Sequence, residues 1–206
     1  MKIECGPSDD IRELIFDLPK GNKRLAVFVS GGIDSAILYY MLMKMNSEQN
    51  NPHTIMPLTM LRTEGSRLYA KPVINYINSL FGLPPQDLIT IGDNTLPEDQ
   101  QIRSGVLRVF KYSIADIVYI GVIETLDIHM IGWQPIPARE TDILKTPFKN
   151  LNKSHIIDLA YLLGQEKLIE LSHSCIHELG RCNNCNGCNE RSWAFTQILK
   201  NDIGIL

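Results

Sequence analysis

The chain has 206 residues, 44% of them hydrophobic, and a formal net charge of −3. That is enough apolar material for one medium-sized core, and the acidic balance argues against a broad nucleic-acid surface, which needs clustered Lys and Arg to displace counterions. The start, MKIECGPSDD, has neither the basic flank nor the apolar centre of a signal peptide, and no apolar run nears the roughly 18 residues of a membrane span, so a cytoplasmic protein is expected.

In chain order, RLAVFV (24–29) reads as a buried strand, and SAILYYMLMKM (35–45) carries its apolar residues at helical spacing. TIMPLTML (54–61) is a second strand, although Pro57 opposes it. A helix over 70–82 ends at a glycine, a short strand follows at 87–92, an amphipathic helical stretch covers 99–116, and IVYIGVI (117–123) is strand-like. Strand alternating with helix predicts an α/β fold with a doubly wound parallel sheet. Prolines 135, 137 and 147 then punctuate an irregular connection, and KSHIIDLAYLLG (153–164) reads as a helix. The division expected is a nucleotide-binding α/β core over 1–145 and a helical, metal-bound extension of the same unit over 146–206.

The first strand-to-helix turn of such a sheet is the usual phosphate site. Here it reads Val29-Ser30-Gly31-Gly32-Ile33-Asp34-Ser35. The two glycines let the backbone bend and approach a ligand, the first amides of the next helix are donors without intrahelical partners, and the helix dipole favours an anion. Ser30 and Ser35 add hydroxyls. Asp34 beside a phosphate either caps the helix or holds a magnesium ion. Neither the Walker spacing nor the dinucleotide GxGxxG is present. The stretch resembles the SGGxDS loop of the PP-loop ATP pyrophosphatases, against the plain alternative of a glycine-rich turn with a capping aspartate.

Four of the five cysteines crowd together as Cys175, Cys182, Cys185 and Cys188. Two-residue spacings turn successive thiolates toward one ion, and four sulfurs complete the closed tetrahedral shell of structural zinc. Asn189 and Glu190 stand where a ferredoxin places its further Cys and Pro, so zinc is preferred to an iron–sulfur cluster. With four thiolates present, His173 and His177 are read as groups around the site or on the surface.

The PP-loop, TPFKNLNKSHIIDLA (146–160) and the C-x6-C-x2-C-x2-C-x2-R pattern together resemble the 7-cyano-7-deazaguanine synthases of the queuosine and archaeosine pathways, over about residues 25–195. The resemblance implies a C–N ligase. With Mg-ATP and ammonia from solution it would convert 7-carboxy-7-deazaguanine to the nitrile through an acyl adenylate and an amide, releasing AMP and pyrophosphate. It also implies a homodimer. Catalysis would rest on positioning and on neutralising charge as pyrophosphate leaves. Asp34, Lys153 and Arg103 are the catalytic candidates, Lys153 as the lysine of the matched motif and Arg103 opening the helix after the third strand. Each basic residue has a solvent-facing alternative. Arg191 is expected to offset the charge of the thiolate site.

The chain departs from the family after its fourth strand, where Gly121, Val122, Glu124 and Thr125 fit the start of the base-recognition loop but IHMIGWQPIPARE replaces its rest and the helix that follows is missing. Glu124 or Asp127 would accept hydrogen bonds from a guanine-like edge and Trp133 would stack on the base, unless the acids are surface groups and Trp133 is core. Alternatives are an amide-forming ligase on another carboxylate, a tRNA thiolation or ligation enzyme of the same superfamily, and a nucleotide-binding subunit without turnover. The acidic charge and the single spare thiol, Cys5, weigh against the tRNA reading, and the intact SGGIDS against the last.

Overall fold

A computed structural model describes residues 1–61, 67–96, 98–125, 140–177 and 180–204. Five parallel strands form the main sheet: β3 (Arg24–Phe28), β4 (Thr54–Met60), β5 (Ile89–Ile91), β6 (Ile117–Ile120) and β7 (Leu144–Lys145), in the order β5-β4-β3-β6-β7. The chain runs from β3 outward to β5, then returns to the other side of β3. The strand order therefore reverses between β3 and β6, and the crevice at their carboxyl ends is where ligands bind in such sheets.

Side chains of a strand alternate between faces. Leu25, Val27 and Val29 enter the larger core with α1 (Ile33–Glu48) and α2 (Arg67–Leu80), whereas Ala26 and Phe28 enter a smaller one against α3 (Glu98–Lys111). Helices thus cover both faces, as the expected doubly wound sheet requires. α1 is buried nearly all round, because α2, α4 (Lys153–Leu162) and α5 (Glu166–Leu171) surround it over the sheet. Burying side chains such as Ile37, Leu38 and Leu42 completely contributes about 1.5–3 kcal/mol each. The same core reaches Ala194 and Phe195 of α6 (Asn186–Gln197).

Pro57 sits inside β4, opposite Val27, where the sequence argues against a strand. The Leu58 carbonyl accepts from Val29 N at 2.8 Å, so the Pro57 nitrogen faces the other edge. Pairing with β5 begins only at Leu58, and no ladder bond is lost there.

Several elements go beyond the sequence reading. β1 (Lys2–Cys5) and β2 (Arg12–Ile15) form an antiparallel hairpin that packs on α4. Gly6 N donates to Asp158 Oδ2 at 2.8 Å, and a Cβ on Gly6 would lie 2.5 Å from the His155 ring. β7 is two residues long and α5 six, too short for periodicity to declare. No helix among the described residues is long and apolar enough to cross a membrane.

Candidate nucleotide site and metal centre

The SGGIDS turn leaves β3 at the order-reversal crevice. Gly31 takes φ +93°, a conformation that favours glycine, and Gly32 occupies the N-cap of α1. Ser35 Oγ accepts from Ser30 N and donates to the Gly32 carbonyl, both at 3.0 Å, while Ser30 Oγ accepts from Gly32 N at 3.3 Å. These bonds shape the loop before any ligand arrives. Val29 and Ile33 are buried apolar residues, so only their backbone groups are available to a ligand. Gly121, just after β6, closes the other wall: a Cβ there would lie 3.1 Å from Ser35 N and 3.2 Å from the Asp34 carbonyl oxygen.

Asp34 does not cap the helix. The N-cap is Gly32, which has no side chain, and Asp34 Oδ2 instead accepts from Lys153 Nζ at 2.5 Å. Lys153 is the first residue of α4, fixed there by a capping box in which Asn152 Oδ1 accepts from Ser154 N at 3.0 Å and His155 Nδ1 accepts from Asn152 N at 3.3 Å. Its side chain is 6% exposed, so the solvent-facing alternative is corrected. Glu190 Oε2 lies 3.3 Å from the same ammonium. Burial pulls the Lys153 pKa down, but the two carboxylates outweigh it and hold the ammonium charged, above its ordinary range. Asp34 Oδ1 is buried without a partner among the described residues and is free to meet a cation. Glu190 is not among the residues the sequence singles out for the site, where it serves only to exclude a ferredoxin pattern, because nothing local to it points to Lys153.

The sulfurs of Cys175, Cys182, Cys185 and Cys188 all lie within 4.8 Å of one another, a group that can hold a metal ion. Amides point at them: His177 N and Cys182 N toward Cys175 Sγ, each at 3.4 Å, Cys185 N toward Cys182 Sγ at 3.3 Å, and Cys188 N toward Cys185 Sγ at 3.4 Å. The amides of Asn184 and Cys185 draw the Cys182 thiol down to about 6, and burial pushes Cys188 up to about 12. Asn183 supplies the left-handed turn at φ +58°. Gly187 is required for space, since a Cβ there would lie 2.0 Å from the Ser174 carbonyl oxygen. His173 and His177 are outside the cluster. His173 is buried, stacks on Tyr69 with ring centroids 4.0 Å apart, and donates from Nε2 to the His177 carbonyl at 2.8 Å.

Other expectations are placed differently. Arg191 does not face the thiolates; it is 1% exposed and grips Asp202 through Nε and Nη2 at 2.8 and 2.9 Å, while donating to the Ile169 carbonyl and Ser172 Oγ at 2.9 and 2.8 Å. It ties α6 to the end of α5. Arg103 lies exposed on α3 and makes no ion pair with Asp34 or Glu190 among the described residues. The Glu124 carboxylate meets Arg12 of the hairpin, which also holds Asp10 at 2.8 Å. Asp127, Trp133 and the segment expected to lack the family's helix lie outside the described residues.

Residues 129–199 match the family described as queuosine biosynthesis protein QueC, a span that takes in the TPFKNLNK motif and all four cysteines. No curated protein matches the chain. Among solved structures, the U34-tRNA thiolase NcsA from Methanococcus maripaludis with its 4Fe-4S cluster is similar at a TM-score of 0.51 and 16% identity, covering 88% of this chain and 66% of that one. At that identity the likeness is one of fold. The chain thus shares an α/β fold with that thiolase, and its residues 129–199 bear the likeness to the QueC family that the motifs led us to expect.

Proposed function

We propose that the protein is an ATP-dependent synthase that turns the carboxylate of 7-carboxy-7-deazaguanine into the nitrile, with ammonia as nitrogen donor. The observation that carries this reading is the Lys153–Asp34 contact, which joins the lysine of the QueC-matching segment to the SGGIDS loop. In this account the loop amides and the hydroxyls of Ser30 and Ser35 cradle the phosphates of ATP. Asp34, held by Lys153, would offer its unpartnered Oδ1 to the magnesium that accompanies ATP, and that ion would offset the charge of the leaving pyrophosphate. The substrate carboxylate attacks the α-phosphorus, ammonia displaces AMP from the acyl adenylate, and a second activation dehydrates the amide. No enzyme nucleophile is required.

The four-cysteine centre suits zinc. A zinc–sulfur bond of about 2.3 Å puts tetrahedral sulfurs roughly 3.8 Å apart, and Cys185 Sγ lies 3.9 Å from Cys175 Sγ. A cubane with irons between the thiolates needs them further apart. The role is structural, because four thiolates leave no open coordination position.

The second reading, a tRNA thiolase, draws on the fold likeness to NcsA. A sulfur-carrying role has little to use: Cys5 is 2% exposed and burial pushes its thiol up to about 12, and the remaining cysteines form the cluster. The zinc-loaded protein, Mg-ATP, ammonium and 7-carboxy-7-deazaguanine should give the nitrile by mass spectrometry. Nucleotide binding without any change in the base would overturn the substrate assignment.

A further inference from the structure

The metal centre and the nucleotide loop touch through residues that neither ligate nor belong to the loop. On one side of the cysteines, His173 N donates to the Gly31 carbonyl at 2.9 Å, and its ring is clamped between Tyr69 and the His177 carbonyl. On the other side, Glu190 follows Cys188 by two residues and reaches Lys153 Nζ at 3.3 Å, with its side chain only 14% exposed. α6 starts on the cluster itself: Cys185 is its N-cap, its sulfur accepting from Cys188 N at 3.4 Å. Whatever fixes the four sulfurs therefore fixes the first turn of α6, the carboxylate one turn on, and the strand of chain that carries His173. Among the described residues of the ligand segment only Cys175 and Cys188 are buried hydrophobics, so packing of these residues gives it little to hold its shape.

We infer that Glu190 is a positioning residue, acting through Lys153, that makes metal binding at the four cysteines and nucleotide binding at the SGGIDS loop mutually dependent, with the His173 amide as the second link. The inference rests on the reading that this loop holds ATP. A metal that orders α6 presents Glu190 to Lys153 and His173 to Gly31, and the nucleotide meets a loop already set. Linkage requires the reverse as well, so nucleotide must tighten metal binding by the same factor.

The test measures zinc affinity by chelator competition, with and without a saturating non-hydrolysable Mg-ATP analogue, in the wild type and in Glu190→Ala. Nucleotide should tighten zinc about 5- to 150-fold in the wild type, and Glu190→Ala should keep one zinc per chain while the factor shrinks toward one. A wild-type factor of one, or an unchanged factor in the variant, overturns the coupling while leaving the nucleotide site standing. Failure of the zinc-loaded wild type to bind the analogue sinks the ATP reading and the coupling with it. A second readout needs no metal-free protein: with zinc bound, Lys153 in Glu190→Ala should be acetylated by acetic anhydride several-fold faster than in the wild type, as mapped by mass spectrometry. Equal rates would contradict the proposed hold on Lys153.

Discussion

Lys153 Nζ and Asp34 Oδ2 meet at 2.5 Å although 119 positions separate them in sequence. The pair joins the first turn of α1 to the first residue of α4, and Glu190 makes it a triad, a buried ammonium between two half-buried carboxylates. Removing the lysine strands two acids, whereas removing Asp34 leaves Lys153 with Glu190. Lys153→Met should therefore cost more stability than Asp34→Asn, on the order of 3–5 kcal/mol for the lysine change. Urea unfolding of both variants and of the double variant checks this, and the double should be less unstable than the two costs added.

Gly121→Ala should leave the fold intact and weaken ATP binding about tenfold, because the new methyl meets the start of α1 at 3.1 Å and displaces the loop proposed to receive the phosphates. Calorimetric titration with a non-hydrolysable ATP analogue reads the change. Unaltered affinity would place the nucleotide away from this crevice.

Gly187→Ala acts on the metal instead. Its methyl would collide with the Ser174 carbonyl, next to Cys175, so the variant should bind substoichiometric zinc and melt at lower temperature. Metal analysis after dialysis against a weak chelator tests it. The wild type should hold one zinc per chain and be colourless when purified without oxygen; a brown protein would contradict the zinc assignment.

Asp202 sets an acid limit. Although its burial opposes ionisation, hydrogen bonds from Arg191 and Arg181 hold its pKa down to about 2, against an ordinary 3.8. A carboxylate depressed on folding contributes stability that is complete above its unfolded value and disappears as pH falls through its folded one, here between roughly 4 and 2. Arg191→Ala should shrink that contribution to what Arg181 alone supports and lower stability at neutral pH. The acid titration of stability should then flatten across this window, as chemical denaturation at several pH values would show.

Much of the fold is legible in the residues themselves. The alternation of RLAVFV, the apolar circumference of α1 and the SGGIDS turn between them are local signals, and they fix β3, the loop and α1. The cysteine spacing announces the four-sulfur cluster in the same way, since its members lie within fourteen residues of chain. The hairpin β1–β2 is harder to see: half of it faces solvent, and its partner, α4, lies some 150 residues away. Glu190 and the burial of Lys153 are long-range facts as well, because no pattern within α4 or α6 says that their starts converge on Asp34. Arg191 illustrates the same limit, since its partner Asp202 lies beyond the motif that drew attention to it.

In the proposed reaction a carboxylate attacks the α-phosphorus of ATP held on the SGGIDS loop. Both carboxylate oxygens of 7-carboxy-7-deazaguanine should be labelled with heavy oxygen, and the AMP released with ammonium present should be analysed by mass spectrometry. Each AMP should carry one heavy oxygen, since each activation transfers one substrate oxygen to the nucleotide. Unlabelled AMP, or ADP and phosphate in its place, would contradict that reaction.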